Sequence, residues 1–173
     1  MPQAAQTPWI WGAQSPLGVT VAIVTLIADQ LCKFWMIYGY QITQKGKVTL
    51  TPFFDLVMVW NEGISYGLLP QGSPLGQGIL IGIALAATAA LLVWLARATS
   101  ALAAVSIGLI VGGALGNAID RVLYGAVADF FSLHAFGFYW YIFNLADAAI
   151  VAGVAGLLYE TLVRGHKKVS NPS

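Results

Sequence analysis

The chain has 173 residues, of which 58% are hydrophobic and only 9% are charged, and its formal net charge is +1. This charge gives no indication of nucleic-acid binding, and the single cysteine, Cys32, excludes an internal disulfide and argues against a cysteine-based metal site. The long apolar runs are typical of a polytopic helical membrane protein. At about 20 residues per span, four spans fit, so we expect one membrane-embedded domain over residues 1–173.

The first predicted element is a span over about residues 17–38. Residues 1–16 carry no charge and therefore lack the basic region of a secretory signal, so we expect this span to be retained. Asp29 and Lys33 lie four residues apart on one helix face, where they can form an ion pair. Two interpretations stay open: a structural pair that reaches toward the interface, or a lysine that binds another partner such as a lipid phosphate or loop backbone.

A small extramembrane β element is predicted over about residues 43–67, lying on the membrane surface. Lys45-Gly46-Lys47 indicates a turn, residues 48–51 alternate with period two, and residues 53–60 are aromatic and β-branched. The element ends in Asn61-Glu62-Gly63-Ile64-Ser65-Tyr66-Gly67, whose two glycines allow a tight path. This stretch is either an ordinary turn or a segment through which Asn61 reaches a site below.

Three more spans are predicted, over about residues 75–95, 101–120 and 142–163. The first of them has no charge, and we assign it to packing only. In the next, Gly108, Gly112 and Gly116 recur every four residues and form a smooth face for close helix contact. The tail RGHKKVSNPS is basic, and we expect it to be disordered.

The placement of lysine and arginine gives a mixed signal for orientation. Each side of the membrane receives four of them: Arg97, Arg164, Lys167 and Lys168 on one side, and Lys33, Lys45, Lys47 and Arg121 on the other. If carboxylates near span ends engage Lys33 and Arg121, the first side keeps four unpaired basic residues in its loops and the second side keeps two. The count then predicts cytoplasmic termini and a polar cluster on the outer face.

Polar side chains gather where the third span ends and the fourth begins. Asn117, Asp120 and Arg121 project from the same end of the third span. Ionisable groups cost roughly 2.5–3.5 kcal/mol each at the centre of a bilayer, so a cluster at its edge favours a functional site.

Two further aspartates are expected to meet just inside the interface. Asp129 follows in an extended apolar stretch, and Asp147 is predicted about one and a half turns into the fourth span, with Asn144 one turn above it. Two carboxylates at hydrogen-bond distance share a proton and titrate as a coupled pair. One then takes a proton from water while the other donates to a substrate carbonyl, as in aspartic proteases.

Other chemistries fit the residues less well. The chain lacks an HExxH motif and has only two histidines, His134 and His166, of which His134 is expected in a loop. It also lacks the Gly-x-Ser-x-Gly elbow of serine hydrolases. A magnesium-dependent transferase using Asp120, Asp129 and Asp147 stays open, although their spacing is wide. A proton-coupled transporter also stays open, but the carboxylates crowd one interface and no internal repeat is visible.

Five segments together resemble bacterial lipoprotein signal peptidase, also called signal peptidase II. They follow in order over most of the chain: Asp29 with Lys33, NEGISYG (Asn61–Gly67), GGALGNAIDR (Gly112–Arg121), VADF (Val127–Phe130) and FNLAD (Phe143–Asp147). Glu62 occupies a variable position of the second motif, and Ala128 precedes the aspartate of the fourth. Neither departure puts the chemistry in doubt.

The resemblance implies an all-α, inner-membrane aspartyl endopeptidase with four transmembrane helices and a small periplasmic β-sheet cradle. Such enzymes use no metal and no cofactor, cut signal peptides from prolipoproteins just before a diacylglyceryl-modified cysteine, and are the target of globomycin-type peptide antibiotics. Their other partners are membrane lipids, and nothing demands more than a monomer. Carried over by motif, Asp129 and Asp147 are the catalytic pair, and the residues that line or brace the site are Asp29, Lys33, Asn61, Gly63, Asn117, Asp120, Arg121, Asn144 and Ala146.

Overall fold

The computed structural model describes residues 10–63 and 73–169, with side chains up to residue 162. The end of the predicted β element at 64–67 lies outside the described residues, as do the side chains of Arg164, His166, Lys167 and Lys168. The elements in chain order are α1 (Ser15–Phe34) with a π-helical turn (Trp35–Gly39), α2 (Ile42–Lys45), β1 (Val48–Thr51), β2 (Phe54–Asn61), α3 (Pro74–Ala96), α4 (Ala101–Tyr124), β3 (Val127–Ala135), β4 (Phe138–Tyr139) and α5 (Leu145–Val169).

The four predicted spans are confirmed as four helices long and apolar enough to cross a membrane. They cover Ser15–Gly39, Pro74–Ala96, Ala101–Tyr124 and Leu145–Leu162. Serine N-caps fix the first residues of α3 and α4. The Ser73 hydroxyl accepts the Gly76 N–H at 3.1 Å, and the Ser100 hydroxyl accepts the Ala103 N–H at 3.0 Å. Helix α4 continues one turn beyond its predicted end.

Helix α4 is the centre of the bundle. In its apolar window 56% of the residues are buried, against 17–22% in the other three spans. Its glycine face packs on α1: a Cβ at Gly108 would lie 2.5 Å from the Gly18 carbonyl oxygen, and one at Gly112 would lie 2.5 Å from that of Ala22. The predicted close helix contact is therefore confirmed.

A four-stranded antiparallel sheet, ordered β1-β2-β3-β4, caps one end of the bundle. Its pairs include Asn61 with Val127, and Phe54 with Leu133. The sheet is larger than predicted, because the stretch after α4 adds β3 and β4. Four membrane-capable helices with a small antiparallel sheet are therefore present as expected, the term all-α describes only the helical bundle, and His134 lies in a strand rather than in a loop.

One face of the sheet packs on the end of the first span. Leu56 and Phe130 form a buried cluster there with Met36 of the π-helical turn and Ile42 of α2. This packing fixes β3, and with it Asp129, relative to α1.

Helix α5 begins later than predicted. Its first residue is Leu145, so Asp147 lies in the first turn and not about one and a half turns into the helix. The apolar residues Ile142 and Phe143 extend the hydrophobic run in sequence, but Phe143 forms a β-bridge with Phe131.

Candidate active site

Asp129 is a buried carboxylate on strand β3, with 1% of its surface exposed. Its Oδ1 accepts a hydrogen bond from Asn144 Nδ2 at 2.7 Å, and its Oδ2 accepts one from Asn61 Nδ2 at 3.0 Å. The structure thus brings Asn61, at the end of β2, to the Asp129 side chain.

The turn after β2 orients that asparagine. Asn61 Oδ1 accepts the Gly63 N–H at 3.0 Å, which leaves Nδ2 to face Asp129. Gly63 has a φ of +115°, a conformation that side chains rarely adopt, and a Cβ there would lie 2.7 Å from Leu80 Cδ1. Glycine is therefore required at this position.

Asp147 is fixed by a reciprocal cap at the start of α5. Asn144 Oδ1 accepts the Asp147 N–H at 2.9 Å, and Asp147 Oδ2 accepts the Asn144 N–H at 3.3 Å. The other carboxylate oxygen, Oδ1, accepts a bond from Asn117 Nδ2 at 2.7 Å. Both carboxylate oxygens of Asp147 are therefore held by N–H donors at the start of α5.

Asn144 links the two aspartates. Its Nδ2 donates both to Asp129 Oδ1 and, at 3.0 Å, to Asn117 Oδ1, while its Oδ1 caps Asp147. It is fully buried. Every hydrogen-bonding atom of this side chain is therefore used to hold the two carboxylates in one cluster.

The environment of Asp129 changes its acidity. Burial raises its pKa to about 6, and the charge of Asp147 adds to the rise, while bonds from Asn61 and Asn144 and the charge of Lys33 work in the opposite direction. A carboxyl group that titrates near neutral pH suits general acid–base chemistry.

Behind the aspartates lies a buried ion cluster. Lys33 Nζ is 2.8 Å from Asp29 Oδ2 and 2.8 Å from Asp120 Oδ2, and it donates to Asn117 Oδ1 at 3.1 Å. The predicted Asp29–Lys33 pair is confirmed, but Lys33 is only 3% exposed. Its ammonium group is therefore enclosed by protein.

Each carboxylate of the ion cluster holds the backbone next to one active-site aspartate. Asp29 Oδ1 accepts the Ala146 N–H at 2.9 Å, and Asp120 Oδ2 accepts the Ala128 N–H at 3.1 Å. These alanines directly precede Asp147 and Asp129. The backbone N–H groups that directly precede the two aspartates are therefore both held by the ion cluster.

Gln30 is a member of this cluster that the sequence analysis missed. Its Nε2 donates to Asp120 Oδ1 at 3.1 Å and to the Gly116 carbonyl at 3.2 Å. The available signal was a polar amide beside Asp29 inside an apolar span. Gly116 allows the close approach, because a Cβ there would lie 2.5 Å from Asp29 Oδ2.

Arg121 holds the main chain of its own helix. Its Nη1 donates to the Asn117 carbonyl at 3.1 Å, and the side chain is half-buried. The magnesium alternative required Asp120 as a ligand, but that carboxylate is engaged by Lys33, Gln30 and the Ala128 N–H. In the described part of the chain, no group of three or more histidine, cysteine or carboxylate side chains is placed to hold a metal ion.

A cleft of about 350 Å³ opens beside Asp129. Strand β2 and the turn after it form one wall, and Tyr141 with Ile142 forms the other; its lining residues are Val59, Trp60, Asn61, Glu62, Gly63, Asp129, Tyr141 and Ile142. The carbonyl of Glu62 accepts a hydrogen bond from Gln77 Nε2 at 2.7 Å. Helix α3, assigned to packing only, therefore also supports the rim of this cleft.

Comparison with known proteins gives one consistent result. The family model described as signal peptidase (SPase) II matches residues 21–163. A lipoprotein signal peptidase of Rhodopseudomonas palustris is 52% identical over 151 residues, covering 85% of this chain and 92% of that protein. One from a Methylobacterium species is 55% identical over 146 residues, covering 84% and 88%.

Two solved structures share the fold. One is a bacterial membrane enzyme determined by the in meso method at 2.3 Å resolution, with a TM-score of 0.77 and 26% identity over 97% of this chain and 99% of that one. The other, determined by the same method at 1.9 Å, has a TM-score of 0.75 and 26% identity over 91% and 98%.

Proposed function

Because the chain belongs to the signal peptidase II family, we propose that it cuts the signal peptide from diacylglyceryl-modified prolipoproteins just before the lipidated cysteine. It is an aspartic-type protease of lipoprotein processing and a multi-pass inner-membrane protein. The observation that carries the proposal is the link from Asp129, which lines an open cleft, through Asn144 to Asp147.

The proposed chemistry uses one proton shared by the two carboxylates. Asp129 carries this proton. Its pKa, raised to about 6, supports this assignment. Asp147, held by amide donors at the start of α5, accepts a proton from water as the water oxygen attacks the scissile carbonyl carbon, and Asp129 donates to the carbonyl oxygen. When the tetrahedral intermediate collapses, Asp147 gives its proton to the cysteine nitrogen, the C–N bond breaks, and Asp129 takes back the hydroxyl proton as the carbonyl re-forms.

The position of the site supports a lipid-anchored substrate. A diacylglyceryl group fixes the scissile bond at headgroup depth, and Asp147 lies in the first turn of a membrane-spanning helix, close to that depth. We infer that the termini are cytoplasmic, that the cleft faces the periplasm, and that globomycin-type peptides occupy it. We also infer that the chain acts as one domain and as a monomer.

The remaining predicted residues have supporting roles in this proposal. Asn61 and Asn117 orient the carboxylates, and Gly63 shapes the cleft. Ala146, held by Asp29, and Ala128, held by Asp120, position the backbone of the pair.

Cleavage of a diacylglyceryl-modified prolipoprotein by the purified protein tests the proposal. Asp129→Asn and Asp147→Asn keep the side-chain shape but cannot share the proton, so each variant is expected to lose nearly all activity while remaining folded. Asp55→Asn, which changes a carboxylate bound to Lys47 on the sheet, is the control and is expected to retain activity. Wild-type protein that cleaves nothing, or asparagine variants that cleave normally, would overturn the proposal.

A further inference from the structure

A hairpin rich in exposed aromatic side chains extends from the sheet beside the site. It connects β3 through β4 to α5, and we call residues 136–141 the aromatic hairpin. Phe136 is 105% exposed, Phe138 62%, Trp140 59% and Tyr141 88%. A soluble surface rarely gathers so many exposed rings in six residues unless the patch binds something.

At the tip of the hairpin, both the backbone conformation and the exposure of Phe136 cost free energy. Phe136 has a φ of +53° and is followed by Gly137 at +82°. A non-glycine residue in this left-handed region costs about 1–2 kcal/mol, and Phe136 buries none of its ring in return. A bulky apolar residue in such a conformation points to a function for the exposed ring.

The hairpin is also fixed in place. Phe131 and Phe143 exchange backbone hydrogen bonds of 2.8 and 3.0 Å, and the Trp140 N–H donates to the Leu133 carbonyl at 2.8 Å. The His134 and Tyr139 rings stack with their centroids 4.8 Å apart. The exposed rings are therefore presented by an ordered element.

The hairpin lies near the membrane because a short segment connects it to the membrane-spanning helix α5. Tyr141 precedes the first residue of α5 by four positions, so at most about 14 Å of extended chain separates it from the end of a membrane span. The headgroup layer on each side of the hydrocarbon core is about 5–8 Å thick. The base of the hairpin is thus within or next to the layer where aromatic residues concentrate in membrane proteins.

A second turn of the sheet extends the same apolar patch. Phe53, 57% exposed, lies in the β1–β2 turn, and its carbonyl accepts the His134 N–H at 2.9 Å. A cavity of about 280 Å³ between the two turns is lined by Phe53, Leu133 and Trp140 among others. The patch therefore continues from the hairpin across this end of the sheet.

We propose that the aromatic hairpin inserts its rings into the boundary between headgroups and acyl chains of the bilayer and anchors the sheet there. The lipid interface suits the patch because it accepts both the apolar faces of Phe rings and the polar edges of Trp and Tyr. Tyr141 and Ile142 also form one wall of the cleft at Asp129. The anchor therefore sets the depth of this wall relative to the lipid anchor of a substrate.

Depth-dependent fluorescence quenching tests the insertion without reference to catalysis. Cys32, the single cysteine, is replaced by alanine, and a bimane label is attached at Phe136→Cys in vesicles of phosphatidylethanolamine and phosphatidylglycerol. We expect stronger quenching by lipids brominated near the glycerol end of the acyl chain than by lipids brominated near its methyl end. The same label at Val151→Cys, an exposed position inside α5, is expected to show the reverse.

Two results would overturn the insertion. The first is a label at 136 that aqueous iodide quenches fully in vesicles and that brominated lipids leave unchanged. The second is energy transfer between labelled molecules at high dilution in lipid, because this would show that a second copy covers the patch.

A kinetic measurement tests the depth-setting role, which rests on the proposed function. Phe136→Glu is expected to raise the apparent KM for a prolipoprotein in vesicles several-fold, with kcat unchanged and no effect in detergent micelles. Gln44→Glu, an exposed charge-matched change on α2, is expected to have no effect. An unchanged KM for Phe136→Glu in vesicles would overturn this role, and inactive wild-type protein would instead count against the proposed function.

Discussion

Asn144 combines two tasks that separate substitutions can distinguish. Its Oδ1 caps α5, while its Nδ2 reaches Asp129 and Asn117. Asn144→Ala removes both, so we expect a loss of about 0.5–2 kcal/mol of stability together with most activity. Asn144→Ser retains a cap but loses the amide donor, and is expected to melt near wild type while remaining as inactive as the alanine variant. Thermal melting and prolipoprotein cleavage measure the two effects, and an active serine variant would show that the amide link is dispensable.

Asn61 should tune the pH dependence of the reaction. With Asp129 as the proton donor at a pKa of about 6, kcat/KM of the free enzyme is expected to fall as the pH rises through this value. The Asn61 bond favours the ionised form and lowers that pKa. Asn61→Ala therefore raises the pKa and moves the fall in kcat/KM to higher pH, with lower turnover and unchanged melting.

Asn61→Asp extends the same series. It replaces the donor with a negative charge, so the shift should be larger than in the alanine variant. A pH profile that moves to lower pH, or stays in place, in both variants would contradict Asp129 as the titrating group.

Individual residues of the candidate site could be predicted from the sequence because they occur in short motifs that follow one another in a fixed order. Asp129, Asp147, Asn117 and Asn144 come together as expected. Gln30 was missed because its role depends on two partners 86 and 90 residues away, and no local pattern reports such contacts.

At the scale of elements, the ion cluster joins α1, α4, β3 and α5. Lys33→Met leaves Asp29 and Asp120 buried without their cation, so we expect a loss of roughly 3–5 kcal/mol of stability. Lys45→Met changes an exposed lysine over the Tyr40 ring and is expected to cost little. Thermal denaturation in detergent measures the melting temperatures of the Lys33→Met and Lys45→Met variants. Equal melting temperatures would show that the buried ammonium contributes no net stability.

Element ends were the hardest feature to predict. Hydropathy alone placed the start of the fourth span at 142, whereas the reciprocal bonds of Asn144 and Asp147 set the helix start at Leu145. The strand β3 was seen only as an extended apolar stretch, because its pairing with β2 joins residues about seventy positions apart. Such pairing follows from tertiary packing and leaves little trace in local periodicity.

At the scale of the whole molecule, the approach of α4 to α1 sets the geometry of the site. Gly112→Ala would place a Cβ 2.5 Å from the Ala22 carbonyl oxygen, so we expect a loss of about 1–3 kcal/mol as the helices separate. Gly82 on α3 has open space around it, and Gly82→Ala is expected to be neutral or stabilising. Melting temperatures and cleavage rates of both variants test this, and a Gly112→Ala protein as stable as Gly82→Ala would contradict the close contact.

The two alanine N–H groups that lead into Asp129 and Asp147 are held by carboxylates bound to one ammonium, that of Lys33. Both aspartates are thus located from a common reference point. When a bilayer thickens or thins and the helices tilt to match it, a displacement of α1 carries the two aspartates in the same direction. The distance between the two aspartates then stays the same when the thickness of the host membrane changes. Their height above the membrane midplane changes with that thickness.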